Sequence, residues 1–266
     1  MTTIRDEGVV LRLHKLGEAD RIVTLLTRRS GIVRAVAKGV RRTGSKFGAR
    51  LEPGSHVDAQ LYVGRSLGIV TQAESLHAYG ARVVDDYPRY TTMQAILESA
   101  ERLAGEEGAA SIRLYLLVVG ALRSLAEKDK PAQLVLDAFL IRAMTVAGWE
   151  PELEECARCA RPGPHRRYSV ESGGITCIEC AVPRAVTIQA ETPGHLTALL
   201  RGDWDTAMVT ERRVQRESSG VLAAHLQWHL ERALRSLPFV ERDQVAPLTR
   251  SPYDELDPDL LSELNR

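Results

Sequence analysis

Apolar and polar positions alternate with period two through much of the first eighty residues. Val9, Leu11 and Leu13 alternate with Val10, Arg12 and His14, and Val57, Ala59, Leu61 and Val63 alternate with Asp58, Gln60 and Tyr62. Residues 21–26 form a β-branched and apolar run, and residues 67–73 supply another short strand. Gly17, Ser30-Gly31, Pro53-Gly54 and Gly64 punctuate these segments, as turn residues do between strands. Five short strands in about eighty residues, with one longer connection, suit a small closed or nearly closed barrel. Periodicity leaves an OB-fold and an SH3-like barrel equally open.

After Pro88 the period changes. Met93, Ile96, Leu97, Ala100 and Leu103 step at three and four residues, as do Ile112, Leu116, Val119, Ala121, Leu122 and Leu125. A third segment covers residues 133–147 through Leu134, Val135, Ala138, Ile141 and Ala143, and Gly148 closes it. Such stripes predict packed bundle helices, because amphipathic faces mostly make cores. Between Glu150 and Arg184 the helical pattern stops, and Pro151, Pro162, Gly163, Pro164, Gly173, Gly174 and Pro183 mark a turn-rich insertion. Helices resume over residues 193–200 and 211–237, where Leu222, Leu226, Leu230 and Leu234 stand at spacing four. The expected architecture is α+β and multidomain. A β-barrel over residues 1–80 precedes a helical domain over 81–240 that includes the module at 150–184. Residues 241–266 form an acidic tail with little to bury, expected to be flexible.

Composition changes this picture little. Among 266 residues, 44% apolar and 26% charged are ordinary for a globular chain. The longest apolar runs, such as Leu116 to Val119, fall far below the roughly 20 residues of a membrane span. The N-terminus turns acidic within a few residues and lacks the apolar centre of a leader. No membrane role and a cytoplasmic location are expected, a setting in which paired cysteines favour metal or redox chemistry over disulfides.

Charge distribution adds more. The 35 basic and 35 acidic residues cancel overall, yet residues 1–79 hold thirteen Lys and Arg against seven Asp and Glu, a net of +6. Residues 241–266 hold seven acids against three bases. Asymmetry of this kind points to a polyanion partner for the first part, where scattered cations would only keep the chain soluble.

All four cysteines fall in the turn-rich insertion as two CxxC pairs, Cys156-Ala-Arg-Cys159 and Cys177-Ile-Glu-Cys180, with seventeen residues between them. That spacing fits a zinc ribbon or treble clef, because each two-residue gap lets both thiolates face one tetrahedral metal. Redox-active dithiols are the competing reading. Four cysteines close the coordination shell, which favours one structural Zn²⁺ over a catalytic one. A nucleobase deaminase carries a proline before its CxxC, where this chain has Thr176. The metal would then staple a segment with too few apolar residues to fold alone.

Arg28, Arg29, Arg34, Lys38, Arg41, Arg42, Lys46 and Arg50 fall within 23 residues that contain no acid. Gly31, Gly39, Gly44 and Gly48 accompany them, which lets a loop follow an irregular phosphate backbone. The segment is no P-loop, since it lacks the GK[ST] ending. Nucleic-acid binding is the expected role, against a merely solvated basic face. Aromatic residues are only 5% of the chain, with Phe47 alone inside the basic run, as a base contact or as barrel packing. Phosphate contacts rather than stacking should therefore carry affinity.

Several words in this order carry a family resemblance: Glu7 to Leu11, Gly17 to Thr27, Val36 to Arg42, Ser45 to Gly48 and Leu51 to Gly54. They resemble the bacterial RecO family of DNA repair proteins, and the likeness continues through the helices and the CxxC pairs to about Phe239. The resemblance implies an N-terminal OB-fold, a helical domain and a zinc-binding module. It implies a non-catalytic mediator in recombinational repair that binds single- and double-stranded DNA and anneals complementary strands. Implied partners are RecR, often RecF, single-strand-binding protein and, functionally, RecA, whose loading onto coated DNA such proteins assist. DNA contacts would fall chiefly on Lys38, Arg41, Arg42 and Lys46, and zinc on the four cysteines. The alternative is a zinc-containing nuclease or other nucleic-acid-processing enzyme, for which Asp85-Asp86 is the nearest carboxylate pair. A zinc-ribbon transcription factor is a third class, and it would bind duplex at specific sequences.

Overall fold

Strand β1 runs fifteen residues, Thr2–Leu16, because it serves two neighbours. Its C-terminal half pairs antiparallel with β2 (Asp20–Thr27), from Gly8↔Thr27 to Leu16↔Asp20. A register shift between Val10 and Arg12 marks a bulge, the kind of irregularity that bends a strand round a barrel. β3 (Gly31–Ala37) continues the meander against β2. β4 (Ser55–Val63) returns to the N-terminal half of β1, from Thr2↔Val63 to Val9↔His56. β5 (Gly68–Ala78) pairs antiparallel with β4 and closes onto β3 in parallel at Ala35↔Gly68 and Val36↔Ile69. The closed order β1-β2-β3-β5-β4 is that of a five-stranded OB-fold barrel. This computed structural model describes residues 2–63, 67–105 and 109–240, and the acidic tail lies outside them.

Inward-facing Val10, Val23, Leu25, Ala35, Val57 and Leu61 fill the barrel. One turn of 3₁₀-helix, Gly48–Leu51, closes an end of it. Leu51 and the preceding Phe47 enter that core, each 1% exposed. Phe47 is therefore barrel packing, with its ring face unavailable for a base. The open reading at this residue is resolved on the side of the core.

The outer face of the barrel is apolar on one side only. Val9, Leu11, Leu26 and Ile32 point outward and join the helical core. β5 runs straight into α1 (Tyr79–Val83), and α2 (Tyr87–Leu103) begins on Asp86, whose side chain accepts from Arg89 N at 3.2 Å. Ser111 caps α3 (Ile112–Glu127) in the same way through Leu114 N. α4 (Ala132–Val146) is buried on nearly every face, as befits the central rod of the bundle. Gly31 fixes the seam between the two halves. Its φ is +66°, and a Cβ there would stand 2.6 Å from Ala109 O.

The turn-rich insertion holds a small sheet of β6 (Arg167–Ser169), β7 (Gly174–Thr176) and β8 (Val186–Thr187), in the order β7-β6-β8. α5 (Thr192–Arg201), α6 (Trp204–Val209) and α7 (Arg212–Leu230) complete the bundle. The final helix stops seven residues short of its expected end at Leu237. Glu231 turns left-handed there (φ 55°), and Leu234 still buries after the chain has left the helix.

Candidate nucleic-acid interface and metal centre

The eight candidate cations do not form one cluster. Arg28 and Arg29 sit in the β2–β3 turn at the seam with the helices. There Arg28 Nη1 meets Glu7 Oε2 at 3.3 Å and Arg29 Nε meets the buried Asp6 at 3.3 Å. Arg34 lies exposed midway along β3. Lys38, Arg41, Arg42, Lys46 and Arg50 gather beyond the other end of β3, a strand of seven residues and so roughly 20 Å long.

Backbone contacts hold that second group in place. Gly39 N donates to Asp20 Oδ1 at 2.7 Å and Arg41 N to Ala19 O at 3.0 Å, tying the loop after β3 to the β1–β2 turn. Arg41 Nη1 donates to Glu18 O, Lys46 Nζ to Thr71 O and Arg50 Nη1 to Lys46 O, at 2.8, 2.8 and 2.6 Å. All five cations are exposed, and among the described residues none of them pairs with a carboxylate. A polyanion meeting this end would compete with backbone carbonyls rather than with a protein carboxylate. The strand-2/strand-3 face and the β1–β2 loop, where OB-folds take up oligonucleotides, border the same end.

The four cysteines converge as the spacing requires. Their Sγ atoms all lie within 4.8 Å of one another, and Cys159 and Cys177 stand 3.9 Å apart. Tetrahedral thiolates at about 2.3 Å from one ion are about 3.8 Å from each other, whereas a disulfide needs about 2.05 Å. In the first knuckle Ala160 adopts φ 56° and donates to Cys156 O at 2.8 Å, while Cys156 N donates to Arg161 O at 2.9 Å. Burial opposes ionisation of Cys156, but N–H groups of Cys177, Arg158 and Cys159 aim at its sulfur and bring it down to about 6. Cys180 is pushed up to about 12 by its hydrogen bonds with the Cys177 and Cys159 sulfurs, followed by burial. Four such sulfurs ionise together only around a cation, so this donor set fits a metal ion. Arg161 ties the knuckles together from outside through Glu179, at 2.7 Å.

Sequence reasoning missed how this module is anchored. Tyr168 OH hydrogen-bonds His225 Nδ1 at 2.8 Å, and His225 Nε2 meets Trp149 O at 3.1 Å. Tyr168 and His225 are 2% and 1% exposed. Burial, helped by His229, brings His225 down to about 4, and burial pushes Tyr168 up. The signal was a lone tyrosine in a polar stretch and a histidine on a leucine stripe, which sequence cannot pair. Asp86, the nearest candidate for a catalytic carboxylate, is engaged as a helix cap and pairs with Arg89 and Lys128 at 3.3 and 3.4 Å. No helix among the described residues is long and apolar enough to cross a membrane.

Residues 1–79 match the family model described as "Recombination protein O N terminal", and residues 84–238 match "Recombination protein O C terminal". A protein of Frankia casuarinae named DNA repair protein RecO is 55% identical over 242 residues, covering 91% of this chain and 100% of that protein. The boundary between the two family matches falls where β5 passes into α1.

Proposed function

The chain belongs to the RecO family of DNA repair and recombination proteins, and from that premise we propose that it is a non-catalytic mediator that anneals complementary strands. In this reading it also helps load the RecA recombinase onto DNA coated by single-strand-binding protein, together with RecR and, in some settings, RecF. The observation that carries it is the group of five exposed cations at one end of the OB barrel, with no carboxylate partner among the described residues. Exposed cations that grip phosphates and leave base edges free suit annealing, because the captured strand can still pair. Phe47, the single aromatic of the basic run, is buried, which favours phosphate grip over stacking.

Zinc is the ion this reading gives to Cys156, Cys159, Cys177 and Cys180, since four thiolates in tetrahedral array suit it. It holds the module's fold and takes no part in chemistry on DNA. The site of action is cytoplasmic DNA, single- and double-stranded. The test is strand annealing of DNA coated beforehand with single-strand-binding protein, with and without RecR and in the presence of Mg²⁺. Annealing that rises on adding RecR, with the strands intact, is expected. Cleaved strands would favour the nuclease alternative, and no annealing in either arm would contradict the mediator reading.

A further inference from the structure

Between the plugged end of the barrel and the first two helices lies a cleft of about 760 Å³. Its lining is mainly apolar, with Pro53, Ala78, Val84 and Met93 among the walls. Val84 is 55% exposed and Tyr90 37% exposed, so part of this apolar surface has no cover among the described residues. On the barrel side the lining is cationic. Lys46 and Arg50 line the cleft, where both donate to carbonyl oxygens and Lys46 also stands over the Phe47 ring, and neither meets a carboxylate among the described residues. The one acid in the lining, Glu52, is paired with Arg21 at 2.7 Å.

The last described turn, Leu237–Phe239, packs on the helix that forms the same wall. Arg235 N and Ser236 N donate to the Glu98 carboxylate at 3.0 and 2.8 Å. Glu98 follows Gln94 and Tyr90 at spacing four on α2, so the chain crosses the continuation of the stripe that walls the cleft a few residues before the segment begins. The segment that follows, residues 241–266, has both chemistries that the cleft matches. Asp254, Glu255, Asp257, Asp259 and Glu263 interleave with Leu256, Leu260, Leu261 and Leu264. Twenty-six residues reach up to ~85 Å when extended, so distance sets no limit. The family match ends at residue 238, so this segment is a feature of the chain outside it.

We propose that the acidic segment 241–266 docks in this cleft, with its leucines against Val84, Tyr90 and Met93 and its carboxylates over Lys46 and Arg50. Docking there covers part of the cationic end of the barrel, so a strand must displace the segment to bind. That consequence rests on the reading of those cations as DNA contacts; the docking itself does not. A segment seated nine-tenths of the time lowers apparent affinity for DNA about tenfold.

The test has a readout for each part. A photoreactive benzoylphenylalanine incorporated at Leu260 of the full chain reports the seat directly by cross-linking and peptide mass spectrometry. Cross-links to residues 45–55 or 78–94 are expected, and their absence, or cross-links to other surfaces only, overturns the proposal. Affinity for an oligothymidylate is then compared between the full chain and two full-length variants. One neutralises the segment (Asp254→Asn, Glu255→Gln, Asp257→Asn, Asp259→Asn), and the other places an acid in the cleft (Val84→Glu). Both should bind about tenfold tighter at low salt. If Val84→Glu instead weakens binding and neutralisation changes nothing, the cleft is a seat for the strand and the proposal falls. If no form binds DNA, the DNA reading fails while the cross-link still decides the docking.

Discussion

Gly31 and Phe47 show at single-residue scale how the fold limits the site. Gly31 holds a left-handed turn against Ala109 O, so Gly31→Ala meets both a forbidden φ and a steric clash. It should cost about 1–3 kcal/mol of stability, measured by chemical denaturation, and it should loosen the seam while leaving metal content unchanged. Phe47 lies in the core with the Lys46 ammonium over its ring, 5.0 Å from the centroid, so the basic run offers no open aromatic face to a base. Replacing Lys38, Arg41, Arg42 and Lys46 by Ala should weaken both DNA binding and annealing and leave metal content as it was. Full annealing by that variant would move the site elsewhere, with Arg158, Arg161, Arg166 and Arg167 beside the cysteines as the next candidates. The residue types of the candidate site were legible in the sequence. Their division between two ends of the barrel was not, because it depends on which way β3 runs and on the carboxylates of Asp6 and Glu7 reaching Arg29 and Arg28.

At the scale of elements, the long periodic helices α2, α3, α4 and α5 were readable from spacing alone. Short pieces were not. α6 has six residues and one buried side chain, Ala207, and the strands β6, β7 and β8 have three, three and two residues, too few to set a period. The metal module is the element with least apolar support. It attaches to the bundle through Leu153, Tyr168, Ile175 and Ile188 and through the Tyr168–His225 hydrogen bond. Chelation should release one metal ion per chain and unfold the module, while hydrogen exchange in the barrel strands stays slow. Retained protection over residues 156–180 after metal removal would show that packing alone holds it.

The anchor also sets a pH dependence. His225 is held neutral, with a folded value of about 4 against an ordinary 6.5. Its stabilising contribution is therefore complete above pH 6.5 and is lost as pH falls toward 4, an amount on the order of 3 kcal/mol. Denaturation midpoints in excess zinc should fall across that window, and the fall should shrink in His225→Gln. Equal slopes for the two proteins would place the acid sensitivity in other groups.

At the scale of the molecule, barrel and bundle are joined by shared packing. Val9 beside Val10, and Leu25 beside Leu26, are adjacent apolar pairs where simple alternation would give a polar residue, the mark of strands buried on both faces. That mark was present in the sequence, but the partner for the outer face could be found only once the helices were in place. The joint fixes the cationic end of the barrel relative to α1 and α2, and so relative to the cleft. In the proposed function metal and cations have separate roles: the cysteines would hold a module that packs against α7, and the barrel end would present charge to phosphates.

The central claim is that this barrel end grips DNA by its phosphates, and the salt dependence of oligothymidylate binding tests it most directly. Each phosphate contact contributes about 0.7 to the log–log slope on a single strand. The slope for the full chain should exceed that of the variant carrying Lys38→Ala, Arg41→Ala, Arg42→Ala and Lys46→Ala by about 3. Identical slopes and affinities for the two proteins would contradict the account.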